Sequence, residues 1–173
     1  VPRALAMLTL VLAATLSACG EDPVSTPLPP EARIDTTTFA PSLGINLAEF
    51  TVSESGLYSK DLVVGTGDQA AAAGDTVTVH YIGWLPNGTV FDQTSPDAPP
   101  FGAPPSAPLI VGAGSVIAGW DEGLVGMKVG GHRMLIVPPS LGYGYAPNGR
   151  IPANSVLVFR IDLVTLKKRT TTP

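Results

Sequence analysis

Alternating apolar and polar positions along the middle of the chain predict a series of β-strands. The clearest is TVTVHYIGWL at residues 76–85, which is rich in β-branched and aromatic side chains and is followed by a Pro-Asn-Gly hairpin turn. Shorter strands are predicted at residues 56–64, 89–92, 109–111 and 130–138, and a long strand at residues 154–167. The last strand has a continuous apolar face made of Leu157, Phe159, Ile161 and Leu163.

One segment, VIAGWDEGLVGM at residues 116–127, has a helical period instead. Ile117, Trp120 and Leu124 fall on one face of a short helix, and Ser115 directly before the segment is an acceptable N-cap. A helix of about 10 residues is not stable alone in water, so it must pack on an apolar surface. We therefore expect the helix to lie against the predicted sheet.

These elements predict an α+β fold in which a five- to six-stranded antiparallel sheet wraps over one short helix. Asp121 and Glu122 are expected on the outer face of that helix, towards water. Trp120, at its centre, is either a core residue or the floor of a cleft between helix and sheet.

The N-terminal region predicts export. Residues 1–18 carry one positive charge, Arg3, before an apolar run that is too short for a permanent membrane span, which is typical of a signal peptide. Leu16-Ser17-Ala18-Cys19 resembles the bacterial lipoprotein box, in which the cysteine is lipidated and becomes the new N-terminus. The alternative is an ordinary secretory signal that happens to end near a cysteine.

Residues 19–43 are proline-rich and lack apolar periodicity, so we expect a lipidated cysteine followed by a flexible tether. Gly20 after the cysteine is not acidic, which favours the outer membrane over the inner one. The remaining boundaries are predicted at residues 44–167 for the folded domain and 168–173 for a C-terminal tail. No long helix precedes the domain, which favours a monomer.

Composition narrows the range of possible functions. Charged residues make up only 14% of the chain, with 19 glycines and 18 prolines, which is typical of a turn-rich β fold. The formal net charge of −4 argues against nucleic acid as a partner. One cysteine excludes an internal disulfide, and with two distant histidines it predicts neither a metal site nor a cofactor.

Aromatic residues recur near the predicted turns, and Asp92 directly follows one of them. The aromatic set consists of Tyr81, Trp84, Phe91, Phe101, Trp120, Tyr143, Tyr145 and Phe159. Aliphatic residues that could join it are Val116, Ile117, Ile151 and Leu157. Patterning alone supports an ordinary core and a ligand-binding cleft equally.

Several motifs, taken in order from residue 56 to residue 167, resemble the FKBP-type peptidyl-prolyl cis–trans isomerases. They are His80-Tyr81-Ile82-Gly83-Trp84-Leu85, Gly88-Thr89-Val90-Phe91-Asp92, Val116-Ile117-Ala118-Gly119-Trp120-Asp121-Glu122-Gly123-Leu124, Ile136-Val137-Pro138-Pro139, Leu141-Gly142-Tyr143-Gly144 and Ile151-Pro152-Ala153-Asn154-Ser155-Val156-Leu157-Val158-Phe159. The resemblance implies an FKBP-like half-wrapped sheet, rotation of X–Pro bonds, and proline-containing polypeptides as partners.

The resemblance also implies roles for individual residues. Catalytic residues would be Tyr81, Phe91, Asp92, Trp120 and Tyr143. Substrate-binding residues would be Phe101, Val116, Ile117, Ile151, Leu157 and Phe159. The chain departs from the family at about six extra residues, 102–107, in a loop with six prolines between residues 96 and 108. That loop is either a rigid surface loop or an internal pseudo-substrate. A non-catalytic chaperone that binds clients in the same cleft is the alternative function.

Overall fold

The computed structural model describes residues 28–94 and 106–170. The predicted signal peptide, the lipidation site at Cys19, the first part of the tether and Phe101 lie outside these residues. Within them, no helix is long and apolar enough to span a membrane.

The described residues form one antiparallel sheet of seven strands and one α-helix, which confirms the predicted α+β class. The strands are β1 (Thr51–Val52), β2 (Tyr58–Val63), β3 (Thr76–Trp84), β4 (Val90–Gln93), β5 (Leu109–Ile110), β6 (His132–Val137) and β7 (Leu157–Lys167). The helix is α1 (Ala118–Gly123), and 3-10 turns occupy Ile34–Thr36, Pro41–Leu43, Leu47–Glu49 and Pro139–Leu141. Six of the seven strands correspond to predicted ones, and the additional strand is β1, which has only two residues.

The order of strands across the sheet is β1-β2-β6-β7-β3-β4, with β5 paired to β3. The long strands β3 and β7 lie side by side, and Gly83 pairs with Phe159 near one end of the ladder. The apolar face predicted for the last strand packs in the main core with Trp120 and Leu124, as expected. Because side chains alternate along a strand, Val156 and Val158 point to a second cluster on the other face.

Helix α1 is shorter than expected and begins later. Its N-cap is Ile117, without a side-chain cap, so the assignment of Ser115 as N-cap is wrong. Gly119 and Gly123 face strand β6, where a Cβ on Gly119 would lie 2.6 Å from Val137. The helix can therefore lie directly on the strand only because both positions lack a side chain.

Two side chains, Asp121 within the helix and Arg133 on β6, hold this six-residue helix in place through hydrogen bonds to backbone groups. The carboxylate of Asp121 accepts the N–H groups of Gly112 and Gly114, both at 2.8 Å. Arg133 donates to the carbonyls of Gly123 and Val125 at 2.8 and 2.9 Å, and so satisfies the C-terminal end of the helix. The sequence predicted that Asp121 simply faces water, whereas in the structure its carboxylate binds two backbone N–H groups.

Part of the expected tether is folded onto the sheet. We call residues 30–43 the N-terminal strap. Ile34, with 4% of its surface exposed, packs with Ile136, Val156 and Val158, and Phe39 and Leu43 lie against the same cluster. The prediction of a free tether up to residue 43 is therefore wrong for the strap, because three spaced apolar side chains cover the outer face of the sheet.

Beyond residue 167, the chain is also tied to the domain. Lys168 Nζ contacts the carboxylate of Asp75 at 2.6 Å, and the N–H of Arg169 donates to the same carboxylate at 2.9 Å. Asp75 is 2% exposed and also accepts the Ala72 N–H. These bonds lower the pKa of Asp75 to about 2. Lys168 and Arg169 thus belong to the folded domain rather than to a solvated tail.

Candidate active site

A cavity of about 570 Å³ opens between α1 and the sheet. Each catalytic candidate from the sequence contributes to its wall: Tyr81 from β3, Phe91 and Asp92 from β4, Trp120 from α1, and Tyr143 from the loop after β6. Phe159 of β7 and the segment Val116–Ile117 before the helix also line it. The fold therefore brings these residues from three strands, the helix and two loop segments to one cavity.

Aromatic rings meet edge to face at the base of this cavity. Tyr81 and Trp120 have centroids 4.9 Å apart, Trp120 and Phe159 5.4 Å, and Phe91 and Phe159 5.5 Å, with interplanar angles of 82°, 84° and 90°. This is a favoured arrangement for aromatic rings, and each pair contributes about 0.5–1.5 kcal/mol beyond simple burial. Trp120 and Phe159 are only 6% and 3% exposed, so they form the deepest part of the wall.

A hydrogen bond joins Tyr81 and Asp92, two of the polar catalytic candidates, at the cavity edge. The Tyr81 hydroxyl donates to Oδ2 of Asp92 at 2.7 Å, and Oδ1 of Asp92 accepts the Gln93 N–H at 2.9 Å. Burial, followed by the bond to the Asp92 carboxylate, raises the pKa of the Tyr81 phenol. Burial and the same carboxylate also raise the pKa of Tyr143. Both phenols therefore stay protonated at neutral pH and can donate hydrogen bonds.

The start of α1 supplies the backbone side of the cavity. Ile117 is the N-cap, so its N–H precedes the first helical turn and has no partner within the helix. Val116 and Ile117 are half-buried and pack against the main core. Asp121 fixes the preceding loop through Gly112 and Gly114, which have φ of +76° and +70°. Asp121 thus ties the loop that leads to Ile117 to the helix.

The comparisons with known proteins agree with this geometry. Residues 67–164 match the sequence model of the family described as FKBP-type peptidyl-prolyl cis-trans isomerase. This chain belongs to the FKBP-type peptidyl-prolyl cis–trans isomerase family. The resemblance drawn from the sequence motifs is thereby confirmed.

The chain covers very different shares of the FKBP relatives that it resembles in sequence. The FK506-binding protein of Neisseria meningitidis serogroup B is 43% identical over 110 residues, which are 63% of this chain and 94% of that protein. FK506-binding protein 4 of Chaetomium thermophilum is 43% identical over 127 residues, or 73% of this chain. The chain spans only 23% of that fungal relative.

Solved FKBP structures share the fold. The crystal structure of AtFKBP13 aligns with a TM-score of 0.59 and 39% identity, covering 69% of this chain and 99% of that one. FkpA from Escherichia coli aligns with a TM-score of 0.58 and 36% identity, covering 70% of this chain and 53% of that one. The half-wrapped antiparallel sheet with one short helix is thus the FKBP-like architecture.

Two residues expected to bind substrate in this FKBP domain lie elsewhere. Ile151 is 5% exposed and Leu157 fully buried, and both belong to the main core rather than to the cavity wall. Their assignment as substrate-binding residues is therefore corrected. Leu157 lies on the face of β7 that the alternation predicted. It is covered by the loop at Leu141 and Gly142, however, and Gly142 approaches its side chain closely.

The sequence missed one side of the cavity. Ser106, Ala107 and Pro108 lie along its wall, together with Leu109 and Ile110 of β5. Ser106 is held against β3, since its N–H donates to the Val79 carbonyl at 2.8 Å and its Oγ accepts the Val79 N–H at 3.2 Å. The extra residues by which this loop departs from the family pattern were the one sequence feature that could have indicated a different wall here. Phe101, expected on this side, lies outside the described residues.

Metal ligands are not grouped in the part of the FKBP domain that the structure describes, where no three His, Cys, Asp or Glu side chains lie close enough to hold an ion. His132 contacts the Asp162 carboxylate at 2.6 Å, and Arg160 contacts the same carboxylate at 3.1 Å. Asp162 is buried there, although the sequence predicted a wet face. His132 on β6 and the Arg160–Asp162 pair on β7 thus form a polar contact between neighbouring strands of the sheet.

Proposed function

We propose that the chain accelerates X–Pro bond rotation in the aromatic cavity, with the pyrrolidine ring seated against Trp120. The observation that carries the proposal is the character of the cavity wall. Among the described residues that line it, Asp92 is the one charged group, and its carboxylate is already engaged by Tyr81. An apolar ring can therefore enter without leaving an unpaired charge buried.

The physical task is to lower a rotational barrier of about 20 kcal/mol. That barrier exists because resonance gives the amide C–N bond partial double-bond character. At mid-rotation the resonance is lost, and with it part of the charge on the carbonyl oxygen. Water stabilises the planar, more polar form, so a site that excludes water and fits the twisted form favours rotation. Lowering the barrier by about 7–8 kcal/mol accelerates the reaction roughly 10⁵- to 10⁶-fold.

Individual roles follow from the geometry of the cavity. Trp120 and Phe159 would hold the proline ring at the base, and Phe91 would form a side wall. The Ile117 N–H and the Tyr143 hydroxyl would donate to substrate carbonyls on either side of the rotating bond. Asp92 would orient Tyr81, so that the Tyr81 ring keeps its edge against Trp120. Such a reaction requires no nucleophile, metal or cofactor.

An isomerisation assay on a short Leu-Pro peptide tests this proposal. A protease-free NMR exchange measurement is preferable to a protease-coupled one, since it reports rotation and peptide binding together. We expect faster cis–trans exchange with catalytic amounts of protein. Peptide binding without faster exchange would favour the alternative, a chaperone that holds clients in the same cleft, and would contradict the catalytic proposal.

We further propose that the domain acts outside the cytoplasm, held at a bacterial membrane by a lipidated Cys19 after removal of residues 1–18. The lipoprotein-like residues at 16–19 and the apolar run before them support this. Its clients would be proline-containing polypeptides that fold in the periplasm or at the cell surface, and the protein would act as a monomer. The residue at position 20 favours the outer membrane.

Expression with a labelled fatty acid tests the anchor. The full chain should incorporate the label and fractionate with membranes, whereas Cys19→Ser should do neither. Label in the Cys19→Ser variant, or none in the unaltered chain, would contradict lipidation at this position.

A further inference from the structure

The N-terminal strap is bonded to the loop that carries Tyr143 at two places. The first place is Asn154, whose side chain forms hydrogen bonds with the strap backbone. Its Oδ1 accepts the Ala32 N–H at 2.9 Å, and its Nδ2 donates to the Pro30 carbonyl at 3.0 Å. One amide side chain thus satisfies a donor and an acceptor of the strap at the same time.

Asn154 is also bonded to the backbone beside Tyr143. Its N–H donates to the Gly144 carbonyl at 2.7 Å. Asn154 has φ of +56°, the one positive value among the non-glycine residues that the structure describes. Asparagine tolerates this conformation better than most other non-glycine residues.

The second place is Ser140, three residues before Tyr143. Glu31 of the strap accepts the Ser140 N–H through Oε1 at 2.7 Å. Ser140 lies in the 3-10 turn Pro139–Leu141, and the Pro139 carbonyl in turn accepts the Gly144 N–H at 2.9 Å. The backbone on both sides of Tyr143 is therefore connected to the strap.

The strap is itself anchored independently of this loop. Ile34 is 4% exposed within the cluster on the outer face of the sheet, and the Ala40 N–H donates to the Pro86 carbonyl at 2.8 Å. In contrast, Tyr143 is 37% exposed, and the backbone around it is mostly at the surface. A surface loop of this kind takes its position from whatever fixes its ends.

We infer that Glu31 and Asn154 are positioning residues, through which the docked strap holds the Tyr143 hydroxyl at the cavity. The inference rests on the proposed role of Tyr143 in binding a substrate carbonyl. The N-terminal strap would then have a function in the reaction in addition to covering the outer face of the sheet. A chain that lacks the strap would keep the aromatic cavity but would hold Tyr143 less precisely.

Asn154→Gly and Glu31→Ala in the full chain test the inference. Glycine keeps the positive φ at position 154 while it removes the amide, so strain is not added. Arg33→Ala is the matched control, because Arg33 lies in the same strap but, among the residues that the structure describes, its side chain pairs only with the exposed Asp35. We expect kcat/KM on a Leu-Pro peptide to fall roughly 3- to 10-fold for each test variant, as for loss of one or two hydrogen bonds, and to stay unchanged for Arg33→Ala.

The same substitutions in a Tyr143→Phe background separate positioning from general destabilisation. If Glu31 and Asn154 act through the Tyr143 hydroxyl, each should lower kcat/KM less than about twofold once that hydroxyl is gone. Equal losses in both backgrounds, or no loss in either, would overturn the inference.

Amide hydrogen exchange gives a readout that does not depend on activity. We expect faster exchange at Ser140 in Glu31→Ala and at Ala32 in Asn154→Gly, with the strands of the sheet unchanged. Full activity of Tyr143→Phe alone would remove the proposed role of Tyr143. The exchange result would then decide the strap contact separately, since unchanged exchange at Ser140 and Ala32 would show that the strap does not hold the loop.

Discussion

The ring of Tyr81 meets the indole of Trp120 edge to face, with centroids 4.9 Å apart, while its hydroxyl is bonded to Asp92 at 2.7 Å. One side chain therefore connects the buried base of the cavity to its charged rim. Tyr81 lies at the centre of β3, where its backbone is fixed by pairing with Ile161 of β7. Changes at either end of this connection should therefore lower turnover, and a change at the exposed Asp92 end should do so with little effect on the fold.

Removing the rim carboxylate should lower turnover with little effect on stability. We expect Asp92→Ala to reduce kcat/KM roughly 3- to 10-fold, because Tyr81 loses the acceptor that orients it. Asp92 is exposed, so its removal leaves no cavity in the core. Asp35→Ala, at an exposed carboxylate of the strap, is the control and should keep the full rate. Unchanged turnover in Asp92→Ala would contradict the assigned role.

Tyr81→Phe provides the second half of a double-mutant cycle. If Asp92 acts by orienting Tyr81, the double variant should be no slower than the slower single variant. Additive losses would mean that Asp92 contributes to the reaction independently of Tyr81.

Replacing Trp120 should affect both stability and activity. We expect Trp120→Ala to lower the free energy of unfolding by about 3–5 kcal/mol, because the indole is 6% exposed in the main core, and to abolish most turnover. Trp84→Ala is a matched control, since Trp84 is half-buried against the cluster on the other face of the sheet. It should destabilise the domain without a specific loss of rate. Trp120→Leu, a milder change, should fold and still be slow, so turnover near the unaltered rate would contradict the proposed proline seat.

Filling the space at Gly83 should narrow the cavity. A Cβ at this position would lie 2.6 Å from Phe91 Cζ and 2.9 Å from Phe159 Cε1, so both rings must shift. We expect Gly83→Ala to raise the KM for a Leu-Pro peptide several-fold. Gly123→Ala, which is equally crowded but faces Leu135 on β6, should cost about 1–3 kcal/mol of stability and leave KM unchanged. An equal rise in KM for both variants would show that crowding acts through the fold rather than through the cavity wall.

The Asp75 contact predicts a specific acid sensitivity. The pKa of Asp75 is about 2 in the folded chain, below the value of about 3.9 expected for unfolded chains. The unfolded state therefore binds a proton first as pH falls, so the contact stabilises the fold above about pH 4 and loses this effect between about pH 4 and 2. Asp75→Asn should have a lower Tm than the unaltered chain at pH 7, and the difference should shrink across that interval.

Thermal unfolding at several pH values measures this effect. Asp68→Asn is the control, because Asp68 is exposed in the neighbouring loop, and its Tm should follow the unaltered chain at every pH. A Tm difference for Asp75→Asn that stays constant from pH 7 to pH 2 would contradict the assignment.

Much of the architecture is encoded in local sequence pattern. Alternation in β3 predicted the strand itself, and alternation in β7 also predicted which of its residues face the helix, because side chains on a strand alternate between two faces. Spacing of Ile117, Trp120 and Leu124 predicted the helix, and the motifs around Tyr81, Trp120 and Tyr143 predicted the family. These features depend on neighbours within a few residues, so a single sequence contains them.

Contacts between distant segments could be decided only by the folded chain. Asp121 had the pattern of a solvated residue but holds two loop amides, and the strap lacked helical or strand periodicity but docks through isolated apolar residues. Ile151 and Leu157 have the right chemistry for a pocket, yet packing places them in the core. Sequence determined the faces of each strand and helix, whereas tertiary structure decided which side chains remain open to a ligand, because that depends on how distant segments cover one another.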